Sequence, residues 1–164
     1  LNVFLVIVMG IGLNVHADPP SYSACGEDGR EVECIRLLTS SDEYADRYPD
    51  LYAKFLTVMG KAEKCPTVAA VRAYFTLSDI AYRYPELEDA FGDSVVRSFL
   101  YNPRCVLDVI ESLSQPHLRN VSRFLAHPYI EDEEGTTKVR DLVAKHAGAA
   151  KYPKFREQYR AWLQ

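Results

Sequence analysis

One short phrase is written three times in this chain. Residues 47–51 read RYPDL, residues 83–87 read RYPEL and residues 151–155 read KYPKF, each preceded two positions earlier by an alanine (Ala45, Ala81, Ala149). The copies are offset by 36 and 68 residues, and a degenerate copy, QPHLRNVSRFL at residues 115–125, falls inside the longer gap. Pro49, Pro85, Pro116 and Pro153 thus mark a unit of 31 to 37 residues, the period of stacked helical hairpins.

Each position of the phrase has a mechanical use at a helix start. Proline suits the first turn, where its missing N–H has no partner to lose. It also pushes the residue before it out of the helical region, so Tyr48, Tyr84 and Tyr152 mark breaks between helices. Asp50 and Glu86 set negative charge against the positive end of the new helix dipole, and Arg47, Arg83 and Lys151 close the preceding helix. RYPDL is therefore expected to be a helix boundary and not a chemical site.

The segments behind the prolines carry apolar residues at helical spacing. Leu87, Phe91, Val95 and Phe99 step by four, as do Leu51 and Phe55, and Phe155 and Tyr159, with Trp162 following. Partner helices are expected around Val32, Ile35 and Leu38; Val68, Val71 and Phe75; Val106, Ile110 and Leu113; and Val139, Leu142 and Val143. Pro66 and Pro103 open two of them, the second behind Asn102, a good N-cap. The fold expected is all-α, a HEAT/armadillo-like stack of about eight helices in four hairpins.

Residues 1–17, LNVFLVIVMGIGLNVHA, stand outside that pattern. The apolar run from Val3 to Leu13 has the length of a signal-peptide core and is too short to span a bilayer, and VHA offers a cleavage site before Asp18. With no Met and no basic start, the leader reads as truncated. Residues 18–164 are expected to form one domain, in the periplasm or secreted. At 48% hydrophobic and 26% charged residues, the chain has enough apolar content for one core.

Four cysteines, Cys25, Cys34, Cys65 and Cys105, fit an oxidising compartment. Cys65 and Cys105 both fall near the starts of partner helices in consecutive units, so stacking brings them together. Cys25 and Cys34 would then staple the N-terminal end, with Cys34–Cys65 as the rival pairing. No C-x-x-C occurs, which argues against zinc and thioredoxin-type chemistry. A net charge of −4 argues against nucleic acid or an anionic membrane as partner.

Little in the chain points to catalysis. His117, His127 and His146 share no metal-ligand spacing, no phosphate-binding loop or G-x-S-x-G turn occurs, and no carboxylate is singled out by an apolar context. No cofactor, metal or catalytic residue is expected. Residues 127–138, HPYIEDEEGTTK, form the longest interruption between helices. Glu131, Asp132, Glu133 and Glu134 read either as a solvated loop or as an acidic prong for a basic cleft, with Tyr129 beside them. LYNPR, residues 100–104, is a second exposed corner that offers Tyr101 and Arg104 as contact residues.

Helical stacks present long surfaces for binding proteins. In architecture over residues 18–164, the chain resembles the small all-helical periplasmic immunity proteins of bacterial type VI secretion, which block the active-site cleft of peptidoglycan-cleaving amidase effectors. That resemblance implies a protein partner, a secreted cell-wall amidase or other hydrolase, held with no cofactor and no membrane contact after leader removal. Homodimerisation is compatible with it. An envelope scaffold and a carboxylate-based hydrolase are the alternatives.

Overall fold

The computed structural model describes residues 29–40, 44–128, 133–148 and 150–164, with the side chains of the second stretch from Pro49 onward. Among the described residues the chain is all-α, as the apolar spacing predicts. The helices are α1 (Glu31–Leu38), α2 (Tyr44–Ala62), α3 (Val68–Phe75), α4 (Ser78–Ala81), α5 (Pro85–Tyr101), α6 (Pro103–Glu111), α7 (Gln115–Ala126), α8 (Glu133–Ala147) and α9 (Pro153–Trp162). The four-residue α4 is a turn that the spacing did not reveal. The leader and Cys25 lie outside the described residues.

Helix α5 occupies the centre and packs against α2, α4, α6 and α7. Its sequence allows this because the expected stripe of Leu87, Phe91, Val95 and Phe99 is widened by Val96 and by the small residues Gly92, Ser94 and Ser98, all buried. A helix buried on most of its circumference needs such small residues where neighbours come close. Phe91 is the hub of a ring cluster, 4.8 Å from Tyr74, 5.6 Å from Phe124 and 6.2 Å from both Phe55 and Phe75. Such tilted pairs add about 0.5–1.5 kcal/mol each beyond the area they bury. At Gly92 a Cβ would stand 2.5 Å from Phe124 Cδ1, so α7 seats an aromatic ring directly on the α5 backbone.

Tyr84 and Tyr152 do precede the first turns of α5 and α9, in non-helical conformations, and both pack against the core. The first copy of the phrase behaves differently. Pro49 lies inside α2, which begins at Tyr44, so RYPDL is no helix boundary there. An interior proline costs about 3 kcal/mol, offset here by the anchoring of Leu51, Phe55 and Val58 in the core. At Pro66 the helix start is displaced: Thr67 is the N-cap of α3, its hydroxyl accepting from the Ala70 N–H at 3.1 Å.

The contacts do not make four equivalent hairpins. α2, α5 and α7 pack in series, and α3 packs on α6, which packs on α9. Gln115 meets Gln158, and the Trp162 indole donates to the Arg119 carbonyl at 3.1 Å, so α7 and α9 run in the same direction. α9 thus lies where a partner of α7 would, and α8 is the return connection against both. The cause sits at the start of α9, where Lys154 and Phe155 N–H groups donate to the Glu111 carboxylate of α6 at 3.1 and 3.0 Å. Lys151 does not close a preceding helix; its ammonium lies 2.6 Å from Asp108 of α6 and holds that carboxyl below its usual range.

At the other end, α1 packs on α2, and the buried Glu31 carboxylate is bonded to Lys61 and to the Gly29 N–H. The Lys61 bond lowers the Glu31 pKa to about 2.

Two predictions follow from this packing. In a helix open to solvent, Gly→Ala stabilises by about 1 kcal/mol, whereas overpacking costs about 1–3 kcal/mol. Gly92→Ala is expected to be a net loss in urea unfolding, and a gain would place Phe124 further from α5. The second concerns acid. A carboxylate depressed on folding stabilises fully above its unfolded pKa near 4.5, and that stability is lost as pH falls toward 2. Glu31→Gln should therefore lower stability at neutral pH by about 1 kcal/mol and flatten its decline between those two pH values.

Candidate protein-binding surface

The LYNPR corner is built by a hand-over between two helices. Asn102 leaves helical geometry at φ −145° and ψ 79°, ending α5, and its side-chain oxygen accepts from the Cys105 N–H at 3.2 Å to cap α6. Pro103 fills the first position of α6. Asn102 is thus the N-cap its position suggested. Leu100 and Tyr101, the last residues of α5, are left 48% and 66% exposed.

A disulfide fixes what faces them. Cys65 and Cys105 are joined across 40 residues with Cα atoms 6.4 Å apart, inside the range a disulfide accepts. The expected pairing is therefore present. Cys34 is also disulfide-bonded, which removes the Cys34–Cys65 alternative. Cys65 sits in the left-handed region at φ 49°, three residues past the end of α2. That conformation costs a non-glycine residue about 1–2 kcal/mol.

Between the end of α2 and the end of α5 lies a groove of about 480 Å³ lined by Glu63, Lys64, Arg97, Leu100 and Tyr101. Arg97 is clamped by Glu63 of the α2 end and by Asp93 one turn back on α5. Among the described residues, Val68, Leu100 and Tyr101 are three of the five exposed large apolar ones, and each lies within five positions of a bridged cysteine. The apolar exposure is thus concentrated at the disulfide-fixed end.

A second, smaller cavity of about 230 Å³ is lined by Glu88, Asp89, Arg123, Phe124 and His127. Its cation is already engaged: Arg123 lies 2.6 Å from Glu88 and stacks 5.2 Å over the Tyr82 ring. The histidines are placed as structural groups. His117 Nδ1 is 3.1 Å from Ser78 Oγ, His127 Nε2 donates to the Trp162 carbonyl at 2.8 Å, and His146 meets the Phe99 ring edge-on. The Ser78–His117 pair has nucleophile–base geometry, yet Ser78 is 1% exposed, so it joins α4 to α7 out of reach of a substrate. Among the described residues no group of three or more His, Cys, Asp or Glu could hold a metal. Nor, among them, is any helix long and apolar enough to cross a membrane.

Of the contact residues expected from sequence, Tyr101 forms part of the groove wall and Arg104 is exposed on the first turn of α6. Tyr129, Glu131 and Asp132 lie outside the described residues. Glu133 and Glu134 correct the reading of a four-acid loop. They form the first turn of α8, where the helix dipole favours them, and Glu134 pairs with Lys138 one turn on at 2.7 Å. Gly135 is inside this helix. The two expected contact regions do not meet: the last turn of α8 touches Phe99 through His146, leaving its acidic first turn about 20 Å away along the helix.

Leu100 lies in the expected LYNPR corner but was not singled out as a contact, and Arg97, Glu63 and Lys64 were not expected at the surface site. Leu100 was legible as the residue beside Tyr101 at a helix end, and Arg97 as the i+4 partner of Asp93. Glu63 and Lys64 join them only through the tertiary position of α2.

Fold and surface together define an all-α, disulfide-bonded protein with an exposed apolar corner. No protein-family model, curated protein or solved structure matches the chain.

Closing a 40-residue loop removes denatured-state entropy equivalent to about 4 kcal/mol. The Cys65→Ser/Cys105→Ser pair is expected to lower Tm by on the order of 10 °C, and reduction, which also opens the Cys34 bond, by at least as much. Differential scanning calorimetry with and without reductant measures this.

Proposed function

We propose that this chain is an exported protein-binding inhibitor, a periplasmic immunity protein that occupies the active-site cleft of a secreted peptidoglycan-degrading enzyme. The observation that carries the reading is the corner of Leu100 and Tyr101, 48% and 66% exposed beside an apolar groove. Aromatic and aliphatic anchors at the edge of a rigid element are what protein interfaces use as hot spots. The disulfides favour an oxidising compartment, where such an effector would be met. The rigid corner, and not the acidic turn of α8, is the element suited to enter a cleft, because it is held on both sides by covalent and helical structure.

The test is capture from the native source on oxidised protein, identification of the captured protein, and assay of its activity in the isolated complex. A cell-wall hydrolase that loses activity on stoichiometric binding is the expected result. Binding without inhibition would replace this reading with that of an envelope adaptor. Within a confirmed complex, Tyr101→Ala should weaken affinity at least ~10-fold, the effect of losing an anchor worth ~1.4 kcal/mol or more. Its circular dichroism and melting should match the parent.

A further inference from the structure

The groove beside the Cys65–Cys105 bond carries a charge pattern that specifies its occupant. Arg97 is neutralised by Glu63 and Asp93. Lys64 and Arg104 are exposed, and neither makes an ion pair or hydrogen bond among the described residues. Each directly precedes a bridged cysteine, and the cysteine Cα atoms are 6.4 Å apart. Adding one residue step on each side places the Lys64 and Arg104 Cα atoms within about 14 Å of each other. The protein as a whole carries a net charge of −4, and these two cations stand beside the exposed apolar corner of Leu100 and Tyr101. The Asp108 carboxylate of α6 is bonded by Lys151 at 2.6 Å and also feels the Arg104 charge, without forming an ion pair with it.

We infer that the groove binds an extended apolar segment of a partner protein flanked by carboxylates. Apolar side chains fill the space along Leu100 and Tyr101, and acidic residues on either side pair with Lys64 and Arg104. In an extended peptide, carboxylates two to four positions apart span about 7–14 Å, within the reach allowed to the two cations. A basic segment is rejected by the same pair, so the cations set specificity while the apolar corner supplies contact area. The disulfide keeps the two cations together, so recognition depends on oxidation. This inference rests on the protein-binding reading and specifies the chemistry of the bound segment.

The experiment is a titration of the oxidised, 15N-labelled protein with two peptides, acetyl-Asp-Leu-Phe-Leu-Asp-amide and its acetyl-Lys-Leu-Phe-Leu-Lys-amide counterpart, followed by amide shifts. The acidic peptide is expected to shift the amides of Lys64, Arg97, Leu100, Tyr101 and Arg104. The basic peptide should bind ~10-fold more weakly, as two exposed charge pairs allow. Raising ionic strength should narrow the difference. The Lys64→Glu/Arg104→Glu variant, whose changes are on the surface and leave the core intact, should reverse the preference. Reduction should weaken the acidic peptide in the parent.

Equal binding of the two peptides, or shifts confined to other parts of the molecule, overturns the inference. Shifts of the same amides with protein concentration alone would mean that a second copy of this chain fills the groove, and also overturns it. A hydrolase captured and inhibited by a protein that ignores both peptides would leave the proposed function standing and remove only this account of the groove. Peptide binding as expected, with a captured partner that keeps its activity, would do the opposite.

Discussion

Everything in this molecule is arranged around one ring. Phe91 lies on the central helix with Phe55, Tyr74, Phe75 and Phe124 about it, and those rings come from α2, α3 and α7. Burying such a side chain contributes about 1.5–3 kcal/mol, and removing it costs about 3–5 kcal/mol once the cavity is counted. The arrangement depends on a residue with no side chain at all, because Gly92 lets Phe124 reach the α5 backbone. Where α5 goes, its C-terminal end goes too. The exposed corner of Leu100 and Tyr101 inherits the rigidity of the packed core from the residue directly before it, Phe99, which is fully buried.

The sequence disclosed the parts of this fold whose causes are local. The four-residue stepping from Leu87 to Phe99, the Asn102 cap and the Pro103 start are properties of a few neighbouring residues. The Cys65–Cys105 pairing followed from the placement of two helix starts in adjacent units. What it hid has distant causes. Pro49 looks like Pro85, yet it lies within α2 because core contacts downstream hold that helix. The KYPKF copy does start a helix, but Glu111, more than forty residues earlier, sets its place and turns a fourth hairpin into a parallel helix. Glu133 and Glu134 looked like loop residues because four acids in a row repel, whereas the positive end of a helix and Lys138 accommodate two of them.

The candidate surface divides in the same way. Tyr101 and Arg104 were visible as an aromatic and a base at a helix break. Lys64 was not, because the packing of α2 on α5 and the disulfide together bring the end of α2 beside that break. Ion pairs between elements have a related role elsewhere, with Arg36 near Asp79, Arg123 on Glu88 and Lys151 on Asp108. Exposed pairs of this kind add little stability. Each joins residues at least 35 positions apart, so together they favour one register of helix against helix over its near alternatives.

The bond between Cys65 and Cys105 also changes what the molecule is as a piece of string. It encloses a loop of 40 residues that holds α3, α4 and α5, including the ring at the centre. Pulled from its two ends, the chain is held about 130 Å short of its full contour length by this bond alone, and Phe91 lies in the part that never comes taut. A pore or unfolding machine that threads one strand at a time must therefore meet this protein before the bond closes. Once it has closed, the chain reaches any narrow passage as a loop two strands wide.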